Sequence, residues 1–341
     1  MRFGFVVGWA LVLGFASLST RAHASDTEER FRASLHLAND AAFLRLTANT
    51  DRFFTSGFGA SFTWGGARVA PLMRWLPGDA AFGDEKRALG MVMAQLLFTP
   101  QDLTLSPPDP DDHPYAGYLY SGAFFQRANS LTFEHLQLDV GVVGPAALGR
   151  ETQQALHRAW GLAQPRGWDA QLENQLTVQG SFRKKWRLEL ATVSLHSWGP
   201  LALQFIPETE ISLGSVTRTL ELGGLMRVGV ALADDFGPHQ LLAVGSFTGR
   251  PVRAPLSASV YARATGRIVQ GDLFLDGNGP VGVTPEPLVG LAEFGFVFQY
   301  MASPSSSWEL GYGQVQVSRE FTTEYLHHGY GTLSLSWLGT L

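Results

Sequence analysis

Along most of the chain, apolar positions alternate with small or polar ones. In the last segment Leu333, Leu335, Trp337 and Leu341 fall on one face, and Thr332, Ser334, Ser336 and Thr340 on the other. Between Leu288 and Met301 one face holds Leu288, Ala292, Phe294, Phe296, Phe298 and Tyr300, while Glu293, Gly295 and Gln299 lie opposite. The same rhythm sets Ala258, Val260, Ala262 and Ala264 against Ser259, Tyr261, Arg263, Thr265 and Arg267. It also sets Leu222, Met226 and Val228 against Glu221, Gly223 and Arg227. A period of two predicts strands with one apolar and one wet face. Such segments occur at 32–47, 53–64, 86–99, 115–127, 130–143, 172–184, 203–213, 217–231, 256–269, 287–301, 307–318 and 329–341, about twelve strands in one domain.

Two all-β architectures satisfy this pattern. A soluble sandwich hides the apolar face in its core; a transmembrane antiparallel β-barrel turns it to lipid and keeps a polar lumen. The barrel fits better because the apolar faces are large, aromatic and almost uncharged. Aromatic residues gather near strand ends (Tyr115, Tyr118, Tyr120, Tyr312, Tyr325, Tyr330), as interface girdles do. An even strand count also suits a single-chain bacterial barrel.

The first 24 residues read as a secretory signal: Arg2, an apolar run from Phe3 to Leu18, then Ala22-His23-Ala24 before Ser25. An uncleaved anchor is the competing reading, but the run is short. Residues 25–341 hold no further stretch of the ~18–20 apolar residues that a spanning helix needs, so only a closed barrel keeps the exported chain in a membrane. With 25 Lys+Arg against 30 Asp+Glu, the formal charge of −5 argues against a nucleic-acid partner. Zero Cys excludes disulfides, Cys-bound zinc and a thiol nucleophile.

One segment breaks the alternation. Pro145 suits a helix start, Glu151 a first turn and Gly161 a helix stop, which predicts a short helix between the fifth and sixth strands. With the N-terminus periplasmic, that connection is extracellular, and its helix packs on the rim or in the lumen. Gln153 and His157, four apart, share one helix face. Asn39-Asp40 interrupts the apolar first strand (Leu35, Leu37, Phe43, Leu44, Leu46), where a carboxylate is costly unless it meets the lumen or a metal. Neighbours on a regular strand point to opposite faces, so both can serve one site only through a bulge or a backbone group.

These residues resemble the outer-membrane lipid A 3′-O-deacylase family (LpxR-like barrels). The resemblance is carried by Asn39-Asp40, by Asp51-Arg52-Phe53-Phe54-Thr55-Ser56-Gly57 and by Pro114-Tyr115-Ala116-Gly117-Tyr118-Leu119-Tyr120. Gly144 to Gly149, Gln153 with His157, and Gly167-Trp168-Asp169 with Gln171-Leu172 complete it in order. It implies a twelve-stranded barrel with its site between the wall and an extracellular helix. It further implies calcium-dependent hydrolysis of an ester-linked acyl chain from lipid A in the outer leaflet. On that footing His157 is the general base, Asp40 and Asn39 hold or orient Ca²⁺, and Thr63, on the polar face of the second strand, is a secondary candidate. The chemistry is coherent in itself: an imidazole takes a proton from water near neutral pH, and oxygen donors suit Ca²⁺.

The match departs from the family pattern at Phe54, Ser56 and His113, where Tyr, Asn and Arg are expected, and at Glu173-Asn174-Gln175. None of these touches Asn39, Asp40 or His157. The alternatives are a non-enzymatic porin or structural barrel, in which Glu221, Arg227, Arg263 and Glu293 line or plug the lumen, and an outer-membrane phospholipase with a Ser–His dyad. No partner subunit is called for, and the chain is expected to act as a monomer.

Overall fold

The computed structural model describes residues 29–40, 52–66, 86–195, 199–238, 254–325 and 327–340. The signal segment and the second half of the expected first strand, with Phe43, Leu44 and Leu46, lie outside them. The strands are β1 (Arg30–Asn39), β2 (Phe53–Gly65), β3 (Lys86–Thr99), β4 (Ala116–Ala128), β5 (Thr132–Val143), β6 (Gln175–Trp186) and β7 (Leu188–Leu195). They continue as β8 (Gly199–Gly214), β9 (Thr217–Val230), β10 (Leu256–Asp272), β11 (Leu288–Ser303), β12 (Ser306–Val317) and β13 (His328–Thr340). Each neighbour pair is antiparallel. Closure comes from β1 on β13, Arg30 opposite Thr340 through Asn39 opposite Gly331, and from β6 on β8.

Thirteen segments make a barrel of twelve staves. β6 and β7 run against β8 in one register, Lys185 opposite Glu208 and Leu188 opposite Phe205. β7 is therefore the continuation of β6 beyond Arg187. The alternation of Leu188 to Leu195 was not expected as a separate strand, because Lys184-Lys185-Trp186-Arg187 reads as a strand end. Its side chains are exposed or half-exposed, it pairs only with β8 among the described strands, and the bulge at Leu190 interrupts its alternation.

The two faces divide as a lipid-facing wall requires. On β13, Leu335 and Trp337 are 43% and 40% exposed, while Ser334 and Ser336 are buried. On β1, Leu35 faces outward and Arg30, Arg32, Ser34 and His36 are buried inside. This is the inverse of a sandwich core. Buried charge inside survives only when paired, and the lumen supplies the pairs. Arg263 meets Glu208 at 3.0 Å and Glu293 at 2.7 Å, and the Tyr261 hydroxyl donates to Glu293 at 2.7 Å. Arg32 pairs with Glu309 and donates to Ser336 at 3.0 Å. The polar residues that read as lumenal in the sequence thus form a salt-bridged filling.

Both mouths are filled. At the rim where β1 begins, the segment after β9 folds inward: Asp235 pairs with Arg227, and Lys185 donates to the Phe236 carbonyl at 3.2 Å. Phe236 is sandwiched between Phe133, 5.6 Å away, and the Arg187 guanidinium at 4.2 Å. At the opposite rim, where β1 ends, a single turn of helix (Leu273–Asp276) drops Phe274 onto Phe98 at 4.3 Å and Tyr118 at 5.6 Å. A cavity of about 180 Å³ remains between them, lined by Tyr120, Asp139, Arg183, Glu221, Arg267 and Glu293 among others. A lumen so filled predicts that the purified protein in planar lipid bilayers shows no steady conductance above the bare membrane. Stable porin-like steps would restore the channel reading.

Candidate active site

The connection after β5 folds as expected and lands on the outside of the wall. A turn of 3₁₀ helix (Pro145–Ala147) leads through Leu148, at φ 59°, into helix α1 (Gly149–Trp160). Gly161 ends it at φ 68°, a left-handed conformation that costs glycine little. There the Leu162 N–H donates to the His157 carbonyl at 2.8 Å and the Gly161 N–H to the Arg158 carbonyl at 3.4 Å. The buried residues of α1 are Gly149, Gln153 and His157, one stripe at a spacing of four. The shared face expected for Gln153 and His157 is thus the docked face.

Close approach of backbones sets the docking. A Cβ added to Gly117 of β4 would stand 3.1 Å from the Gly149 backbone, and one on Gly149 would stand 2.8 Å from the Trp168 ring. The Trp168 Nε1–H donates to Gln153 Oε1 at 2.7 Å, and its ring lies 4.9 Å from Tyr115. Gln95 Nε2 donates to the Ala147 carbonyl at 2.6 Å. Gln95 and Leu97 continue the outward series of Met91 and Met93, which are 65% and 58% exposed. Leu97 is buried only because Tyr115 and Trp168 cover it. The helix therefore lies on the lipid side of the rim, not in the lumen.

On the same outer face, Asn39 follows Leu35 and Leu37 at the end of β1. One cross-strand row runs from Asn39 to Ser56, Leu97 and Gly117, a span of three strand spacings, about 14 Å. The β1–β2 ladder is regular; the bulge lies between β2 and β3, where Thr55 is the extra residue between Phe54 and Ser56. Its carbonyl accepts from Asn39 Nδ2 at 3.1 Å and from the Asp40 N–H at 3.2 Å. Asp40 has left the ladder, and its Oδ2 accepts the Arg52 N–H at 2.7 Å, closing the turn. Both residues are buried, Asp40 to 1% exposure. Asp51 of the same turn is outside the described residues.

His157 is also buried. Its Nδ1 lies 2.5 Å from the Ala163 carbonyl, so Nδ1 carries the proton and donates. That leaves Nε2 as the basic nitrogen. Thr63 lies on the opposite face of the wall from Asn39 and α1. It faces the lumen opposite Arg32, seven residues along β2 from Ser56, or roughly 23 Å down the strand. The alternation that put Thr63 on a polar face was sound: that face is the lumenal one, whereas Asn39 and α1 lie on the outer face.

The turn departures have local explanations. His113 stacks on Phe98 at 5.6 Å with rings 1° from parallel, and burial lowers its pKa to about 4, so it is a neutral packing ring whose Nδ1 bonds the Pro114 carbonyl at 2.7 Å. Phe54 packs on Tyr330 at 4.5 Å. The carbonyls of Thr55 and Ala163 that orient Asn39 and His157 left no signal in the sequence, because any residue type supplies one. Among the described residues no three His, Asp or Glu side chains cluster as a metal site. A cation at Asp40 would rest on one carboxylate and neutral oxygens.

Comparison with known proteins agrees with this architecture. The sequence profile of the family described as "Outer membrane protein LpxR" matches residues 9–338. Among solved structures, LpxR from Salmonella typhimurium superposes with a TM-score of 0.66 at 19% identity, over 90% of this chain and 99% of that one. The β domain of the Bordetella autotransporter BrkA gives 0.45 at 10% identity, over 92% and 99% of the two chains. No curated protein sequence matches.

The docking geometry predicts that Gly117→Val, which drives a branched side chain into Gly149, frees the α1 segment while leaving the barrel intact. Limited proteolysis of the folded variant should cut within residues 144–174 faster than it cuts the wild type. Equal resistance would show that the glycine contact does not hold the helix.

Proposed function

The chain belongs to the LpxR family of outer-membrane proteins, and we propose that it is a lipid A deacylase that hydrolyses the 3′-linked acyloxyacyl ester with water activated by His157. The observation that carries this reading is where the polar groups lie. A buried histidine on α1 and the buried Asn39 amide stand on the lipid side of the wall, with the buried Asp40 carboxylate next to Asn39 at the end of β1, at the rim that meets the outer leaflet. A channel would place such groups in the lumen. Polar side chains facing lipid are costly and mark function by default.

His157 is oriented for the work. With Nδ1–H held by the Ala163 carbonyl, Nε2 accepts a proton from water as that water attacks the ester carbonyl. The new carbon–oxygen bond forms to the acyl carbon, and the ester bond to the sugar oxygen breaks. The proton taken by Nε2 passes to that departing oxygen, and the products are a free acyloxyacyl carboxylic acid and a sugar hydroxyl. Gln153, tied to Trp168, keeps the helix face seated behind the imidazole.

Asp40 and Asn39 fit Ca²⁺ by the chemistry of their donors: a buried carboxylate and an amide, both hard oxygen ligands beside the Thr55 carbonyl. Such an ion, when bound, supplies positive charge for the ester carbonyl and its developing oxyanion. A single carboxylate among neutral oxygens suits a readily exchanged ion. Zinc, which prefers nitrogen and sulfur, is disfavoured.

The test is acyl release from purified lipid A in mixed micelles. EGTA should abolish release and added Ca²⁺ restore it, and His157→Ala should lower the rate by about 10²–10⁴-fold. Full activity in EGTA would remove calcium from the mechanism, and full activity of His157→Ala would remove the base.

A further inference from the structure

The loops of the upper rim are rich in exposed carboxylates, Asp102, Asp109 and Asp111 among them. Most arginines in these loops are engaged: Arg52 donates to the His327 carbonyl at 3.2 Å, Arg150 pairs with Asp169 at 2.5 Å, and Arg319 with Glu286 at 2.6 Å. Arg158 and Arg166 are exposed, and among the described residues neither guanidinium has a hydrogen-bond or ion-pair partner. Both sit on the one segment that carries His157.

That segment is held at both ends. The Leu162 N–H bonds the His157 carbonyl at 2.8 Å and the Arg166 N–H bonds the Leu103 carbonyl at 2.9 Å. Between the two arginines Trp160 and Leu162 are 53% and 40% exposed. The surface beside the imidazole therefore pairs an apolar strip with two uncommitted cations, on an otherwise acidic rim. Guanidinium forks match phosphate oxygens in geometry and charge.

We infer that Arg158 and Arg166 form a phosphate anchor at the mouth of the site, taking a phosphate monoester on a glycolipid headgroup while Trp160 and Leu162 lie along its acyl chains. This deepens the deacylase reading and rests on it for its use in catalysis. The binding itself does not depend on turnover. The anchor sets which headgroups are presented to His157, so substrate without phosphate reacts with a raised KM and little change in kcat.

The test measures retention of bisphosphorylated lipid A, the same lipid with its phosphates removed, and phosphatidylglycerol by the detergent-solubilised His157→Ala protein, using native mass spectrometry. Adding Arg158→Ala and Arg166→Ala together should weaken binding of the phosphorylated glycolipid by about tenfold or more and leave the dephosphorylated form unchanged. Arg218→Ala, an exposed rim arginine on β9 across the barrel, should change neither and serves as the control for bulk charge. Equal losses on both glycolipids, no loss, or phosphatidylglycerol held as well as phosphorylated lipid A would overturn the anchor. If phosphate-dependent binding persists but the wild type releases no acyl chain, the deacylase reading fails and the anchor stands.

Discussion

The structure depends on the closed ladder of backbone hydrogen bonds. In hydrocarbon an unpaired amide has no water to turn to, so a strand-built wall must close on itself. Closure here runs through β1 on β13 and β6 on β8. Once the ring is closed, alternation sends every second side chain to lipid and the rest inward. The inward set carries so much charge that it must pair or fill, which it does through Arg263 with Glu208 and Glu293 and through the folded-in segment at Asp235. The result is a solid stave barrel whose lumen leaves little free space.

With the lumen filled, the chemistry proposed for a membrane lipid falls to the outside of the wall. That location is hostile to polar groups, and the site answers with local backbone partners. Thr55, the extra residue of the β2 bulge, offers its carbonyl to both Asn39 and Asp40; the Ala163 carbonyl fixes the tautomer of His157. The helix is held by glycine-to-glycine contact at Gly117 and Gly149, and by the Trp168–Gln153 bond. Each device gives a polar side chain at the rim a fixed hydrogen-bond partner.

Much of this was legible in the chain. Alternation with large aromatic faces indicated the barrel, its stave number and the lumenal charges. Pro145, Glu151 and Gly161 bounded the helix, and the four-residue spacing of Gln153 and His157 marked its docked face. What escaped were relations that depend on which wall surface a residue meets. Thr63 alternates correctly yet faces the lumen, a long way down the strand from Asn39. Leu188 to Leu195 continue β6 past Arg187, and the bulge at Leu190 interrupts their alternation. Backbone acceptors such as those of Thr55 and Ala163 are invisible to composition. The uncommitted state of Arg158 and Arg166 appears only once the partners of the other rim arginines are known.

The central claim is that residues on the lipid side of this wall cut an acyl chain from lipid A. Mass spectrometry of lipid A from cells expressing the wild type, His157→Ala or Asp40→Ala tests it directly. The account predicts loss of one acyloxyacyl mass with the wild type and none with either variant, with all three proteins folded in the outer membrane. Unaltered lipid A in every strain, or the same loss in all three, would contradict it.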